Sequence, residues 1–168
     1  MVSQRTARTP RPMNHGVRNQ KESFMENDFT ISTDKNKLDD DAIHDYLCNK
    51  SYWGQGRTAE AVRKSIDNSL CFGVYDEKDH FVGFARLVTD YTVFAYLMDL
   101  FILEPFRNRG LGKKLVNHIV SDVSFKNIRF WRLDTMDAHE LYRKYGFKEP
   151  ARPERIMEKR KTANQSFH

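Results

Sequence analysis

The chain predicts an α/β fold, a mixed sheet with helices on both faces. Three observations carry that prediction. From Met25 onward, apolar spacings of period two and period 3.6 alternate along the sequence. The run 94–103 is nearly continuous in apolar residues, as a central strand is. A turn with two glycines then leads from that run into an amphipathic helix.

The elements follow in order. Residues 28–32 read as a short strand. Residues 39–49 read as a helix, opened by acids that suit its N-terminus. Residues 58–69 read as a second helix with Thr58 as N-cap, and Glu60 stands one position early for a full capping box. Residues 70–75 and 81–89 are strands joined by the turn 77–80, and 94–103 is the third strand. Gly110 opens a helix with Leu111, Leu115, Val116, Ile119, Val120 and Val123 on one face. Residues 128–133 form a strand, and 138–145 a short helix stopped by Gly146 at its C-terminal cap. In that helix Leu141 and Tyr145, at i and i+4, are expected to face the core, with Tyr142 one step round. A final strand is expected from Phe147 to about Met157.

Composition excludes several classes. A chain of 168 residues can bury enough apolar surface to need no disulfide scaffold. No apolar run approaches the roughly 20 residues that span a bilayer, and no secretory leader is evident. Cys48 and Cys71 are too few for a zinc set and read as reduced thiols, which points to the cytoplasm. The formal net charge of +5 is unevenly spread. Residues 1–24 contribute +4, 151–168 contribute +3, and 25–150 contribute −2. A slightly acidic body between basic ends is not a stripe that tracks nucleic acid. Residues 1–24 are hydrophobe-poor and Arg-rich, and are expected to be a disordered tail. Residues 25–158 form the domain, and 159–168 a flexible basic tail.

The most informative segment is Leu103-Glu-Pro-Phe-Arg-Asn-Arg-Gly-Leu-Gly-Lys-Lys114. Here a strand ends and a helix begins. Glycines let a ligand approach the backbone, exposed N–H groups and the helix dipole favour an anion, and Arg107, Arg109 and Lys113 add positive charge. In physical terms this is a pyrophosphate site. It is neither a P-loop, which needs Gly-Lys-Ser/Thr, nor Gly-x-Gly-x-x-Gly, whose third glycine is missing. In the second segment, Ala138 to Phe147, the phenol of Tyr142 suits a proton donor to a thiolate leaving group.

Together these segments resemble the GNAT superfamily of N-acetyltransferases. Its acyl-CoA motif, Gln/Arg-x-x-Gly-x-Gly/Ala, matches Arg107-Asn108-Arg109-Gly110-Leu111-Gly112. Its second signature matches Leu141-Tyr142-Arg143-Lys144-Tyr145-Gly146-Phe147. The resemblance covers residues 28–158. It implies the acyl-CoA N-acyltransferase fold, a mostly antiparallel sheet with a splayed parallel pair. It also implies acetyl-CoA as cosubstrate, no metal, and direct transfer to a primary amine of a small molecule or peptide in a ternary complex. The pantetheine arm would run along Leu100, Phe101 and Ile102, and the pyrophosphate would meet the backbone of Arg107, Asn108, Arg109, Gly110, Leu111, Gly112 and Lys113. Thr135 stands where many members carry a cofactor-contacting Asn. Tyr142 would protonate the departing CoA thiolate.

The base that frees the amine has no motif. Asp99, where the sheet splays, is the first candidate and Asp90 the second; either could instead be a hydrogen-bonded structural carboxylate. Asp134 and Asp137 read as loop-shaping. On the acceptor side, Tyr52 and Trp53 either wall the substrate or anchor their loop. Arg86 could meet a substrate carboxylate, or pair with Asp90 or Asp99. A sensor that binds acyl-CoA without turnover is the alternative function, and the retained Tyr142 speaks against it. No nucleic-acid or membrane partner is expected. Dimers are common in the family, so a homodimer through the C-terminal strand stays open.

Overall fold

The computed structural model describes residues 29–159. The expected N-terminal tail, Asp28 of the expected first strand and all but the first residue of the expected C-terminal tail lie outside the described residues. The elements are β1 (Thr30–Ser32), α1 (Asp40–Asp45), α2 (Ala59–Asp67), β2 (Leu70–Tyr75), β3 (Phe81–Thr89), β4 (Phe94–Ile102), α3 (Leu111–Val120), β5 (Phe130–Arg132) and α4 (His139–Arg143). The strands form one five-stranded sheet in the order β1-β2-β3-β4-β5. Neighbours run antiparallel except β4 and β5, which run parallel. The predicted mixed sheet with helices on both faces is therefore the fold observed.

Strand alternation builds two cores. On one face Phe72, Val82, Ala85 and Leu87 pack against Leu115, Val116 and Ile119 of α3. On the other, Cys71, Phe84 and Phe101 pack against Ile43, Tyr46 and Leu47 and against Val62 and Ile66 of α2. Each such fully buried aliphatic or aromatic side chain contributes about 1.5–3 kcal/mol. Among the described residues no helix is long and apolar enough to cross a membrane.

Local chemistry sets the helix ends. The Thr58 hydroxyl accepts from Ala61 N–H at 3.1 Å, as the N-cap reading requires. Thr58→Ala is therefore expected to cost about 1 kcal/mol, seen as a lower urea midpoint at unchanged slope. The first helix is shorter than expected. It passes after Asp45 into a π-helical turn, Tyr46–Lys50, which ends where Ser51 N–H reaches Tyr46 O at 3.0 Å. The buried Ser51 hydroxyl then donates to Leu47 O at 2.6 Å and accepts from Gly54 N–H at 3.0 Å, turning the chain sharply.

β4 carries the irregularity that shapes the site. Phe84 pairs with Phe101 and Arg86 with Met98, so two steps on β3 oppose three on β4. The extra residue is a β-bulge, and Asp99 within it has a left-handed φ of 52°. Side-chain parity confirms the slip. Ala95 and Leu97 face the α3 core, but beyond the bulge Ile102 does so and Phe101 turns to the other side. The β4–β5 ladder extends only from Phe94 opposite Phe130 to Tyr96 opposite Arg132. Past that point the parallel strands part, and β5 leaves the edge of β4 from Met98 to Ile102 unpaired.

The expected final strand is absent from the described residues. A 3-10 turn, Pro153–Arg155, stands in its place, and residues 156–159 join no ladder. Pro150 and Pro153 explain it, because each lacks an N–H and biases the residue before it. β5 is also shorter than the expected 128–133, since both Arg129 and Phe130 N–H groups turn to Val93 O.

Candidate functional site

β4 leads through a single 3-10 turn, Glu104–Phe106, into the glycine loop. The loop is preset by two left-handed residues, Asn108 at φ 62° and Gly110 at φ 78°. Gly110 is the N-cap of α3 and offers no side chain to the helix. Among the described residues, the backbone N–H groups of Asn108, Arg109, Gly110, Leu111, Gly112 and Lys113 reach no backbone carbonyl; the ladder starts with Lys114 N–H on Gly110 O. Six unspent amides at the N-terminus of a ten-residue helix form an anion cradle. A Cβ on Gly112 would meet nothing within 4 Å, so the space above it is open. Gly112→Val is expected to obstruct that space and weaken CoA binding about tenfold or more, with thermal midpoint nearly unchanged. Calorimetric titration and a melting curve on one preparation check it.

The basic side chains of the loop do more positioning than their charge suggests. Arg107 lies over the Tyr46 ring at 5.9 Å. It donates to Tyr46 Oη at 2.6 Å and to Ile102 O at 3.0 Å, which anchors the loop to β4. Arg109 lies over Phe106 at 5.3 Å and donates to Pro105 O at 3.1 Å. Lys113 is exposed, and its carbonyl accepts the Tyr145 hydroxyl at 2.8 Å, tying the helix-four segment to α3.

A cavity of about 630 Å³ opens where β4 and β5 part. It brings together Tyr142, Asp99, Leu100, Thr135, Tyr52 and Trp53. Phe101 and Ile102 turn their side chains into the two cores, so only their backbone is available to a ligand. The Thr135 hydroxyl accepts from Ala138 N–H at 3.1 Å and so shapes the entry to α4. Asp90 and Arg86 do not line this cavity. Asp90 closes the β3–β4 turn by accepting the N–H groups of Thr92, Val93 and Phe94, which hold its carboxyl below the usual range.

Tyr142 is the buried residue of its helix, 9% exposed, whereas Leu141 and Tyr145 are half-buried. Leu141 and Tyr145 pack against the α3 core as expected, and Tyr142 is buried more deeply than either. The ring packs edge-on against Phe147 at 5.9 Å. The hydroxyl lines the cavity and has no partner among the described residues. Burial, with smaller contributions from Tyr52 and Asp137, pushes its pKa up to about 12.

Asp99 sits between two cations. Arg86 Nε donates to one oxygen at 2.8 Å, and Arg57 Nη1 reaches both at 3.0 and 3.1 Å. Arg86 spends its remaining groups on Ser69 Oγ at 3.0 Å and on Met98 Sδ at 3.4 Å. It therefore pairs with Asp99 and does not face a ligand. The Asp99 carboxylate thus accepts from two guanidinium groups at once.

The Tyr52–Trp53 loop forms the opposite wall. The rings meet edge-on at 4.8 Å and stay 43% and 37% exposed. Tyr52 Oη accepts Met136 N–H at 2.8 Å, bridging from this loop to the β5–α4 loop. Three charged cavity residues are not among the site residues read from the sequence. Asp134, which accepts the Tyr96 hydroxyl, and Asp137 line the wall instead of only shaping a loop. Arg57 is the third. Its signal was a cation placed just ahead of a helix N-cap, where the dipole disfavours it.

A family model for the acetyltransferase (GNAT) domain matches residues 67–149. A solved structure from Xanthomonas campestris pv. campestris, described as a candidate acetyltransferase of the GNAT family, is 38% identical. It superposes with a TM-score of 0.76 over 79% of this chain and 92% of that one. The chain belongs to the GNAT superfamily. Among curated relatives, an acetyltransferase candidate from Gibberella zeae is 28% identical over 110 residues, 55% of this chain. An uncharacterized N-acetyltransferase of Gracilaria tenuistipitata var. liui is 32% identical over 92 residues, 51% of this chain. The chain spans 62% and 50% of those two relatives' lengths. A GNAT family acetyltransferase from Elizabethkingia anophelis, solved with acetyl-CoA bound, shares the fold at 18% identity and a TM-score of 0.54 over 73% of this chain and 78% of that one.

Proposed function

We propose that the chain is an N-acetyltransferase that uses acetyl-CoA and passes the acetyl group directly to a primary amine in a ternary complex. One observation carries this reading. β4 parts from β5 after Tyr96 and ends at six consecutive unspent amides. That is one unpaired strand edge for a pantetheine arm, followed by one cradle for a pyrophosphate. The open space above Gly112 fits such a group. The neighbour with acetyl-CoA bound supports the same ligand.

Acetyl-CoA supplies an activated acetyl group on sulfur. The chain's own residues bind, orient and manage protons. The unpaired backbone edge around Leu100 orients the thioester and offers an N–H to its carbonyl oxygen. Tyr142 keeps its proton at neutral pH and holds it for the departing sulfur. Asp134 and Asp137 lie on the acceptor wall, where an ammonium group would gather and lose its proton to water or to a carboxylate. Tyr52 and Trp53 enclose the acceptor.

The test is isothermal titration with acetyl-CoA and then CoA, followed by thiol release with a panel of amines. Micromolar binding of one molecule per chain, and thiol release only with an amine present, are expected. No binding at millimolar ligand overturns the reading. Binding without release by any amine would instead support an acyl-CoA sensor.

A further inference from the structure

We infer that the acceptor is an amino acid, and that Arg57 reads its carboxylate. The inference rests on the acetyltransferase reading and names the acceptor of that same cavity.

The argument starts from charge. Arg86 and Arg57 share one carboxylate, Asp99. Arg86 is buried with every nitrogen engaged, so it alone balances Asp99. Arg57 is then a second cation, with a side chain only 26% exposed. A half-buried guanidinium with no carboxylate of its own is costly unless something anionic joins it. Its Nη1 is committed to Asp99, while Nη2 and Nε have no partner among the described residues. Two free donors in a planar fork, on a cavity wall, match a carboxylate.

Arg57 is also held in place. Its N–H donates to Gly54 O at 3.3 Å. Its carbonyl accepts Cys48 Sγ–H at 2.8 Å and lies 3.2 Å from His44 Nε2. These contacts fix the backbone from which the side chain reaches Asp99. The same cavity also carries the opposite sign: Asp134, which accepts the Tyr96 hydroxyl, and Asp137 line it. A cavity lined by a cation with free donors and by two acids fits a zwitterion, ammonium toward an acid and carboxylate toward Arg57.

Position sets the length of the ligand. Arg57 Nη1 lies 3.0 Å from Asp99, the residue before Leu100 on the edge that would orient the thioester. An acceptor that presents nitrogen there and a carboxylate to Arg57 has its two charges close together. That is the geometry of an amino acid, not of a diamine or a long-chain amine.

The experiment compares acceptors that differ only at the carboxylate. The probes are the twenty amino acids, their amides, and the decarboxylated amines of leucine and phenylalanine. The amides have the weaker amino base and hold more free amine at about pH 8, so they react faster if the carboxylate goes unread. The expected result is a kcat/KM for at least one amino acid about ten- to a hundredfold above its amide and its decarboxylated amine. Arg57→Gln is expected to bring that ratio near one, mainly through KM, and Arg57→Lys to restore part of it. Acetyl-CoA titration and melting curves of the same variants separate this from misfolding. Equal rates for amino acids and amides in the unaltered protein overturn the inference. So does an Arg57→Gln loss that is the same for every acceptor. If acetyl-CoA binds and amines are acetylated but no amino acid is, the acetyltransferase reading stands and this inference falls. If acetyl-CoA does not bind, both fall.

Discussion

Tyr142→Phe is expected to lower kcat by about a hundredfold or more while changing acetyl-CoA affinity by less than about twofold. The hydroxyl has no partner among the described residues, so removing it breaks no bond of the fold. The ring keeps its edge-on contact with Phe147 at 5.9 Å. Stability should therefore hold within about 0.5 kcal/mol. The pH profile provides a second check. Burial pushes this phenol up to about 12, so its proton stays on throughout the working range. The acceptor amine must lose its proton to react, so the unaltered rate should climb with pH and show no falling limb below about pH 11. In Tyr142→Phe the climb should remain, because it reports the amine, on a lower plateau. A kcat unchanged at every pH would remove Tyr142 from the chemistry.

Much of the framework was legible because it depends on short-range rules. The runs 70–75, 81–89 and 94–103 read as strands because apolar residues crowd both faces, and both faces prove to be covered, the third strand ending at Ile102. Thr58 and Gly110 marked helix starts because capping is a local matter of one hydroxyl or one left-handed residue. The unspent amides of the glycine loop follow from equally local rules. What was not legible depends on contacts far apart in sequence. Nothing in 94–102 announces the bulge at Asp99; it follows from Arg86 and Arg57 meeting one carboxylate, from positions 13 and 42 residues away. The i, i+4 rule placed Leu141 and Tyr145 against the core but missed the deeper burial of Tyr142, which lines the β4–β5 opening. The final strand failed on two prolines whose missing N–H groups outweigh the apolar residues after them.

Asp99→Asn is expected to destabilise the protein by about 3–5 kcal/mol, because it leaves the buried Arg86 without a counter-charge. Asparagine matches aspartate in shape and tolerates a left-handed φ, so the loss would report charge and not backbone strain. Urea unfolding measures it. Adding Arg86→Met to the same chain should recover part of the loss, since it removes the buried cation left without its counter-charge. A change within about 0.5 kcal/mol for Asp99→Asn would mean that the pair is energetically idle. The same variant separates two roles for this residue. A carboxylate that only organises the bulge should leave the rising limb of the pH–rate profile in place, with kcat reduced by about tenfold or less at temperatures where the variant is folded. Loss of a general base would cost a hundredfold or more, the residual rate still rising as the amine itself deprotonates. The two guanidinium groups on its oxygens favour the first outcome. The bulge at Asp99 lies just past the last β4–β5 pair, so the ion pair would serve catalysis by fixing the strand edge on which the thioester is to lie.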